Sequence, residues 1–249
     1  MIEDKLDTMG EALVAIAKIQ DKFEHVTDFK LDYGDLECET LPTGRTYKTP
    51  DGEKYPSITT VLSVNSGDSI AKWRARVGNE EADKISFRAS TRGTLVHEII
   101  EDYINNKEDY AKKYMPNIVA NFLDVKDILD SRIGKVYAQE VPLYSDHLGI
   151  AGRVDCVAEF DGKLSIIDFK TSTRTKLRKY VLNYFQQEAF YAIAWEERTK
   201  LPITQLVTII AVDNEAPQVF IEHRDVHAPE LIKTIAKYRE KKDAEQRSF

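Results

Sequence analysis

Cysteine is scarce. Cys38 and Cys156 are the only two, too few for a disulfide framework, a four-cysteine metal site or an iron–sulfur cluster. No apolar run approaches the roughly 18 residues needed to cross a bilayer. No Gly-x-x-x-x-Gly-Lys phosphate loop is present, which argues against an intrinsic nucleotide motor. The opening residues, Met-Ile-Glu-Asp-Lys-Leu-Asp, lack the basic flank of a secretory signal and the Arg-rich, acid-poor character of a mitochondrial presequence. Together these absences point to a chain without a membrane segment, in a reducing cytoplasm. His97-Glu98-Ile99-Ile100-Glu101 approaches the zinc-protease helix, but Glu101 stands where the second imidazole is needed. There is no internal repeat and no low-complexity segment.

What is there reads as an ordinary soluble chain. Its 249 residues are 42% hydrophobic and 31% charged, with room for one large domain or two small ones. The net charge of −7 argues superficially against a nucleic-acid partner. Its distribution changes that. Residues 1–53 hold 13 Asp and Glu against 6 Lys and Arg, which leaves 29 of each sign for the remainder. We therefore expect an acidic N-terminal region over 1–53 and a main domain over 54–249. The N-terminal region should contain an amphipathic helix over 3–23, then irregular and strand segments, and it offers a surface for a protein partner.

Along the main domain, Pro50-Asp51-Gly52 marks a turn and Ile58–Leu62 starts a helix or a strand. Lys72, Trp73, Arg74 and Arg76 either touch a nucleic-acid backbone or form a solvated helix around a core tryptophan. Residues 80–105 predict a long helix with Arg88, Arg92, Gly93, His97 and Glu101 roughly along one face. A second helix is predicted over 116–131. Lys135–Tyr144 alternates as a strand, with Val136, Ala138, Glu140 and Pro142 in register. A helix over 177–197 places Gln187 and Tyr191 one turn apart. Strands follow over 205–212 and 219–226, then a final helix to about Lys242 with Pro229 near its first turn.

The chemistry concentrates between Ile150 and Ser172. Asp161-Gly162 lies between two apolar, β-branched runs, the sequence signal for a two-residue hairpin turn. Phe160 then faces Lys163, Asp155 faces Asp168, and Arg153 faces Lys170. Alternation puts all four of these charged residues on one face. Directly opposed carboxylates repel, and a divalent cation would resolve the repulsion. His97 is a candidate further ligand, and Glu140 on the neighbouring strand could either steady the ligands from behind or bind a second metal. Lys170 could orient or help deprotonate a water and offset phosphate charge. Arg174, Lys176, Arg178 and Lys179 follow with no acidic residue between Phe169 and Gln187, a candidate phosphate-contacting run. Arg92 and Arg153 are further candidates for DNA contact. Gln187 and Tyr191 could touch a substrate backbone or steady the site. Cys156, in the predicted buried strand, reads as a small hydrophobe.

Four motifs then carry a family resemblance: Gly93-x-x-x-His97, Gly152-Arg153-Val154-Asp155, Asp168-Phe169-Lys170-Thr171-Ser172 and Gln187-x-x-x-Tyr191. In order and spacing the chain resembles the PD-(D/E)XK nuclease superfamily, in particular its RecB-type exonuclease branch. Val154 stands where the superfamily's name has proline. The resemblance implies an α/β, restriction-endonuclease-like core with a mixed central sheet flanked by helices. It implies Mg²⁺ or Mn²⁺ held by His97, Asp155 and Asp168 with the Phe169 carbonyl, catalytic Lys170, and hydrolysis from DNA ends, with single-stranded DNA as the expected substrate. Replication, recombination or repair in a bacterial or phage-infected cell would be the setting. A flap or branched-DNA endonuclease and a non-catalytic DNA-binding module remain alternatives.

Overall fold

A tight turn at Asp161-Gly162 organises the larger of two sheets. The computed structural model describes residues 23–28 and 30–247. The chain enters through a small antiparallel sheet of β1 (Glu37–Leu41), β2 (Gly44–Lys48) and β3 (Lys54–Pro56). The expected boundary between residues 53 and 54 falls at the start of β3, just after the Pro50-Asp51-Gly52 turn. The helix expected over 3–23 lies, apart from Phe23, outside the described residues. Phe23 packs in the main core, and the Tyr33 hydroxyl donates to the Pro142 carbonyl at 3.0 Å.

Ser57 caps α1 (Ile58–Leu62), its hydroxyl accepting the Thr60 N–H at 3.1 Å. Helix α2 (Gly67–Val77) carries the Lys72–Arg76 segment and buries none of its residues. The long α3 (Asn79–Ile104) is solvated over most of its first half. Its second half sets Val96, Ile99, Ile100, Tyr103 and Ile104 against the sheet. Helix α4 (Pro116–Arg132) starts with proline at its first position, where the missing N–H costs nothing.

Next come β4 (Ile133–Ser145), β5 (Ile150–Phe160) and β6 (Lys163–Ser172), then α5 (Leu182–Thr199), β7 (Gln205–Val212), β8 (Gln218–His223) and α6 (Arg224–Arg247). The five strands lie in the order β4-β5-β6-β7-β8. Only β6 and β7 are parallel, joined through α5. This is the mixed sheet flanked by helices that the resemblance implies. One core layer lies under α3 and α4 and includes Cys156, Ala158, Phe160, Ile167 and Phe169. The other lies under α1, α5 and α6 and includes Val154, Val157, Ile166 and Leu206. Val154 and Cys156 thus serve opposite layers, so strict alternation does not run unbroken through Asp155.

Several element boundaries differ from expectation. Helix α5 begins at Leu182 rather than Leu177. The preceding residues are tied to β8 instead: the Lys176 N–H donates to Gln218, and Arg178 makes a two-pronged bond to Glu222 at 2.6 and 2.7 Å. β8 ends at His223, three residues early, because α6 starts at once. Pro229 is accordingly inside α6 rather than at its start. The expected simple alternation of β4 is interrupted by register shifts between Ile133 and Ala138, a bulge that re-aims the residues beyond it.

At Gly152 the second and fourth sequence motifs meet. A Cβ there would stand 2.9 Å from Tyr191 Cε1 and 3.1 Å from Ile58 Cγ2. Tyr191 is 2% exposed and occupies the space that glycine leaves. Gly152→Ala should therefore destabilise the fold by about 1–3 kcal/mol through overpacking. A urea-unfolding midpoint equal to wild type would contradict this packing.

Candidate active site

The turn forms as the sequence predicts. Asp161 and Gly162 both have positive φ, +52° and +74°, the pairing that suits the right-handed twist of a hairpin. The ladder runs from Phe160–Lys163 to Cys156–Ile167 in the expected register. It then stops one step short. Asp155 and Asp168 are not a paired couple, because Asp155 turns its own carboxylate into the gap. Its Oδ2 accepts the Phe169 N–H at 2.8 Å. A side chain thus replaces a strand carbonyl, and β5 and β6 part where the charges gather.

Glu140 enters from the other side. Gln139 pairs with Cys156 and Val141 with Val154, which leaves Glu140 across from Asp155. Its φ is +48°, a left-handed conformation that costs a non-glycine residue about 1–3 kcal/mol and concentrates at functional sites. Arg153 holds the strained peptide by donating from Nη1 to the Glu140 carbonyl. His97 descends from α3 with its Nδ1 3.5 Å from Asp155 Oδ2, and its ring meets Phe169 edge-on. Ligand atoms of His97, Glu140 and Asp155 lie within 4.8 Å of one another. They line a cleft of about 410 Å³ with Arg45, Glu98, Glu101 and Arg153.

This is a crowded set of negative charges. Burial, then Asp155 and Glu101, pushes the Glu140 carboxyl up to about 8, only partly offset by Arg153. Asp168 is 1% exposed. Burial raises its pKa, while Lys170 pulls it back. Its Oδ2 is taken by the Lys170 ammonium, while Oδ1 has no partner among the described residues. Burial lowers the Lys170 pKa, but Asp168 and Asp155 outweigh it and the net shift is upward, so the side chain is an ammonium. It sits 5.2 Å from the centre of the Tyr184 ring. One imidazole, several carboxylates and the unpartnered Asp168 Oδ1 form a hard, oxygen-rich donor set that fits Mg²⁺ or Mn²⁺. Asp168 is not in the His97–Glu140–Asp155 cluster; its carboxylate turns to Lys170.

The remaining sequence candidates scatter. Gln187 Nε2 reaches the Tyr191 hydroxyl at 3.4 Å, and Tyr191 is buried. Arg92 pairs with Asp213 at 2.6 Å, a carboxylate that also accepts from Asn121. It lines a groove between α3 and α4 with Arg88 and Thr173, outside the cleft. Arg153 lines the cleft but is bonded to Asp35 as well as to Glu140. Arg174 is exposed just past β6, and Lys176 is half-buried.

Sequence reasoning put Glu101 on the His97 face without giving it a site role, and passed over Arg45 and Glu188. Arg45 and Glu101 line the cleft. Glu188 is fully buried behind the site, where burial and Asp168 raise its pKa. Thr208 donates to its Oε1, and Oε2 has no partner among the described residues. A glutamate followed by Ala189, Phe190 and Tyr191 on a buried helix face was the available signal.

A model of the PD-(D/E)XK nuclease superfamily matches residues 69–249. Over 129 residues the chain is 25% identical to mitochondrial genome maintenance exonuclease 1 of Homo sapiens, covering 49% of this chain and 38% of that protein. Over 130 residues it is 29% identical to the protein of the same name from Xenopus tropicalis, covering 49% and 37%. The match thus spans less than two fifths of each relative's length. A crystal structure named "Putative exonuclease", from Eubacterium rectale, aligns with a TM-score of 0.34 at 14% identity, covering 59% of this chain and 68% of that one.

The raised Glu140 pKa has a stability consequence. Below its ordinary 4.5 the carboxyl is protonated in both folded and unfolded chains. As pH rises toward about 8, the unfolded chain ionises while the folded one holds its proton, so stability is lost across that window. Without added metal, the unfolding temperature should fall between pH 5 and pH 8, and Glu140→Gln should flatten part of that fall. Identical pH profiles for the two proteins would contradict the assignment.

Proposed function

The chain belongs to the PD-(D/E)XK nuclease superfamily, and from that premise we propose that it is a divalent-metal-dependent exonuclease. Its substrate is the end of DNA, single-stranded DNA foremost, in replication, recombination or repair. The observation that carries this reading is the convergence of His97, Glu140 and Asp155 within 4.8 Å beside the buried Asp168–Lys170 pair. The name exonuclease borne by the human and frog relatives supports action from an end.

His97, Glu140, Asp155 and Asp168 would hold Mg²⁺ or Mn²⁺, with the Phe169 carbonyl assisting. Such an ion supplies an activated water and stabilises charge on the phosphate. Asp155 is oriented for this by the Phe169 N–H, which fixes one carboxylate oxygen. Lys170, with Asp168 and Asp155 holding its proton on, serves as a cation that offsets phosphate charge and orients water. Tyr191 steadies the Gly152 segment from behind, with Gln187 bonded to it. Arg153 supports the Glu140 peptide. Arg174 and Lys176 meet the phosphates of the strand leaving the cleft. Arg92, committed to Asp213, braces α3 beside them.

The acidic residues 1–53 offer a surface to a protein partner. Among the described residues no helix is long and apolar enough to cross a membrane. The two free cysteines, Cys38 exposed and Cys156 buried, suit a reducing compartment.

The test uses end-labelled linear single-stranded and duplex DNA and circular single-stranded DNA, with Mg²⁺ or with EDTA. Linear DNA should be degraded only with metal, and circles should survive. Lys170→Ala should slow single-turnover cleavage by about 10²–10³-fold, the scale of losing one charge-stabilising group, with DNA binding changed little. Near-normal turnover in Lys170→Ala would overturn the mechanism. Cleaved circles would replace the exonuclease with an endonuclease.

A further inference from the structure

The cleft has a wall that the superfamily match does not include. Arg45 lies on β2, outside residues 69–249, yet lines the same cavity as His97, Glu140 and Asp155. Its backbone is locked in place. The Ser57 N–H donates to the Arg45 carbonyl at 2.8 Å, and the Arg45 N–H donates to Thr60 Oγ1 at 2.9 Å. The preceding Gly44, at φ +127°, allows this closeness, since a Cβ there would stand 2.3 Å from Thr60 Cγ2. The sheet is anchored in turn by Tyr47, which packs with Leu36, Tyr144 and Ala151. Arg45 therefore extends from a fixed platform.

Its guanidinium is lightly committed. Nε donates to Thr40 Oγ1 at 3.2 Å and the guanidinium also bonds the Tyr47 side chain, but among the described residues it forms no ion pair with a carboxylate. The other arginine at this cleft, Arg153, is bound to Asp35 and to the Glu140 carbonyl. The cleft otherwise presents Glu98, Glu101, Glu140 and Asp155, a lining that repels a polyanion. An arginine fork matches two phosphate oxygens, and a cation facing this lining suits a phosphate better than any neutral ligand. Resting on the nuclease reading above, we propose that Arg45 is a substrate-binding residue that grips a DNA phosphate next to the scissile bond. The region before the superfamily match thereby completes the substrate site.

The experiment compares wild type, Arg45→Ala, Arg45→Lys and Lys48→Ala. Lys48 is on the same strand but lines a different surface, with Glu37 and Lys54, so its loss controls for net charge. Single-stranded DNA binding is measured against salt, single-turnover cleavage against DNA concentration, and Mn²⁺ binding by its thermal shift. Arg45→Ala should weaken DNA binding about tenfold or more, the scale of a charged hydrogen bond. It should also reduce the log–log salt slope by about 0.7, the value for one phosphate contact on single strands. Arg45→Lys should recover the slope but only part of the affinity, and Mn²⁺ binding should be unchanged. Lys48→Ala should bind DNA within about twofold of wild type, as expected for a surface charge that makes no phosphate contact. Wild-type affinity and slope in Arg45→Ala would overturn the proposal, as would an equal loss in Lys48→Ala. If wild type binds DNA but never cleaves it, the exonuclease reading fails while the salt slope still decides Arg45. A wild type that neither binds nor cleaves DNA overturns both.

Discussion

Negative charge confined where water is scarce is the constraint that the rest of this structure answers to. Asp155, Asp168 and Glu140 come from three adjacent strands, with Glu188 buried behind them. Carboxylates so close and so desolvated do not all ionise without a counter-charge. The fold supplies part of the answer internally. Lys170 sits against Asp168, a backbone N–H is spent on Asp155, and Glu140 tends to keep its proton. What is left, the unpartnered Asp168 Oδ1 and the His97–Glu140–Asp155 cluster, is where the proposed metal would bind.

The scaffold produces this crowding by breaking its own regularity. β5 and β6 pair normally from the Asp161-Gly162 turn and then separate at Asp155. β4 carries a bulge, and beyond it Glu140 adopts a left-handed backbone held by Arg153. Neither feature would be stable alone. Buried layers on both faces hold the strands so firmly that they tolerate an unpaired step and a strained peptide. Gly152 and Tyr191 are part of that grip, since the ring fills space that only glycine leaves open.

The superfamily match begins at residue 69, whereas the cleft does not. Residues 33–60 reach it through Tyr33 on Pro142, Asp35 on Arg153, and Arg45 at the rim. A segment whose overall charge is acidic thus places a cation beside an acidic site. Net charge, summed over 1–53, hid this because it averages the exposed Glu37 and Glu39 with an arginine that faces elsewhere.

Much of the fold was legible in the residues. Local chemistry decided the Asp161-Gly162 turn, the register back to Cys156–Ile167, and β7 at residues 205–212. Its signals are a turn pair with positive φ, β-branched runs, and spacing along one chain. The candidate residues His97, Asp155, Asp168 and Lys170 could be picked out because they sit in short motifs. The tertiary structure alone decided the rest. It parted the hairpin at Asp155, since a side-chain acceptor competes with the ladder in a way that register counting cannot register. It added Glu140 to the His97–Asp155 cluster, by way of a bulge in β4 and a positive φ at Glu140 itself. It also brought Arg45 to the site from a distant stretch whose local sequence carries no mark of that proximity. Periodicity reports which face a residue takes on its own element, and only packing determines which other element that face meets.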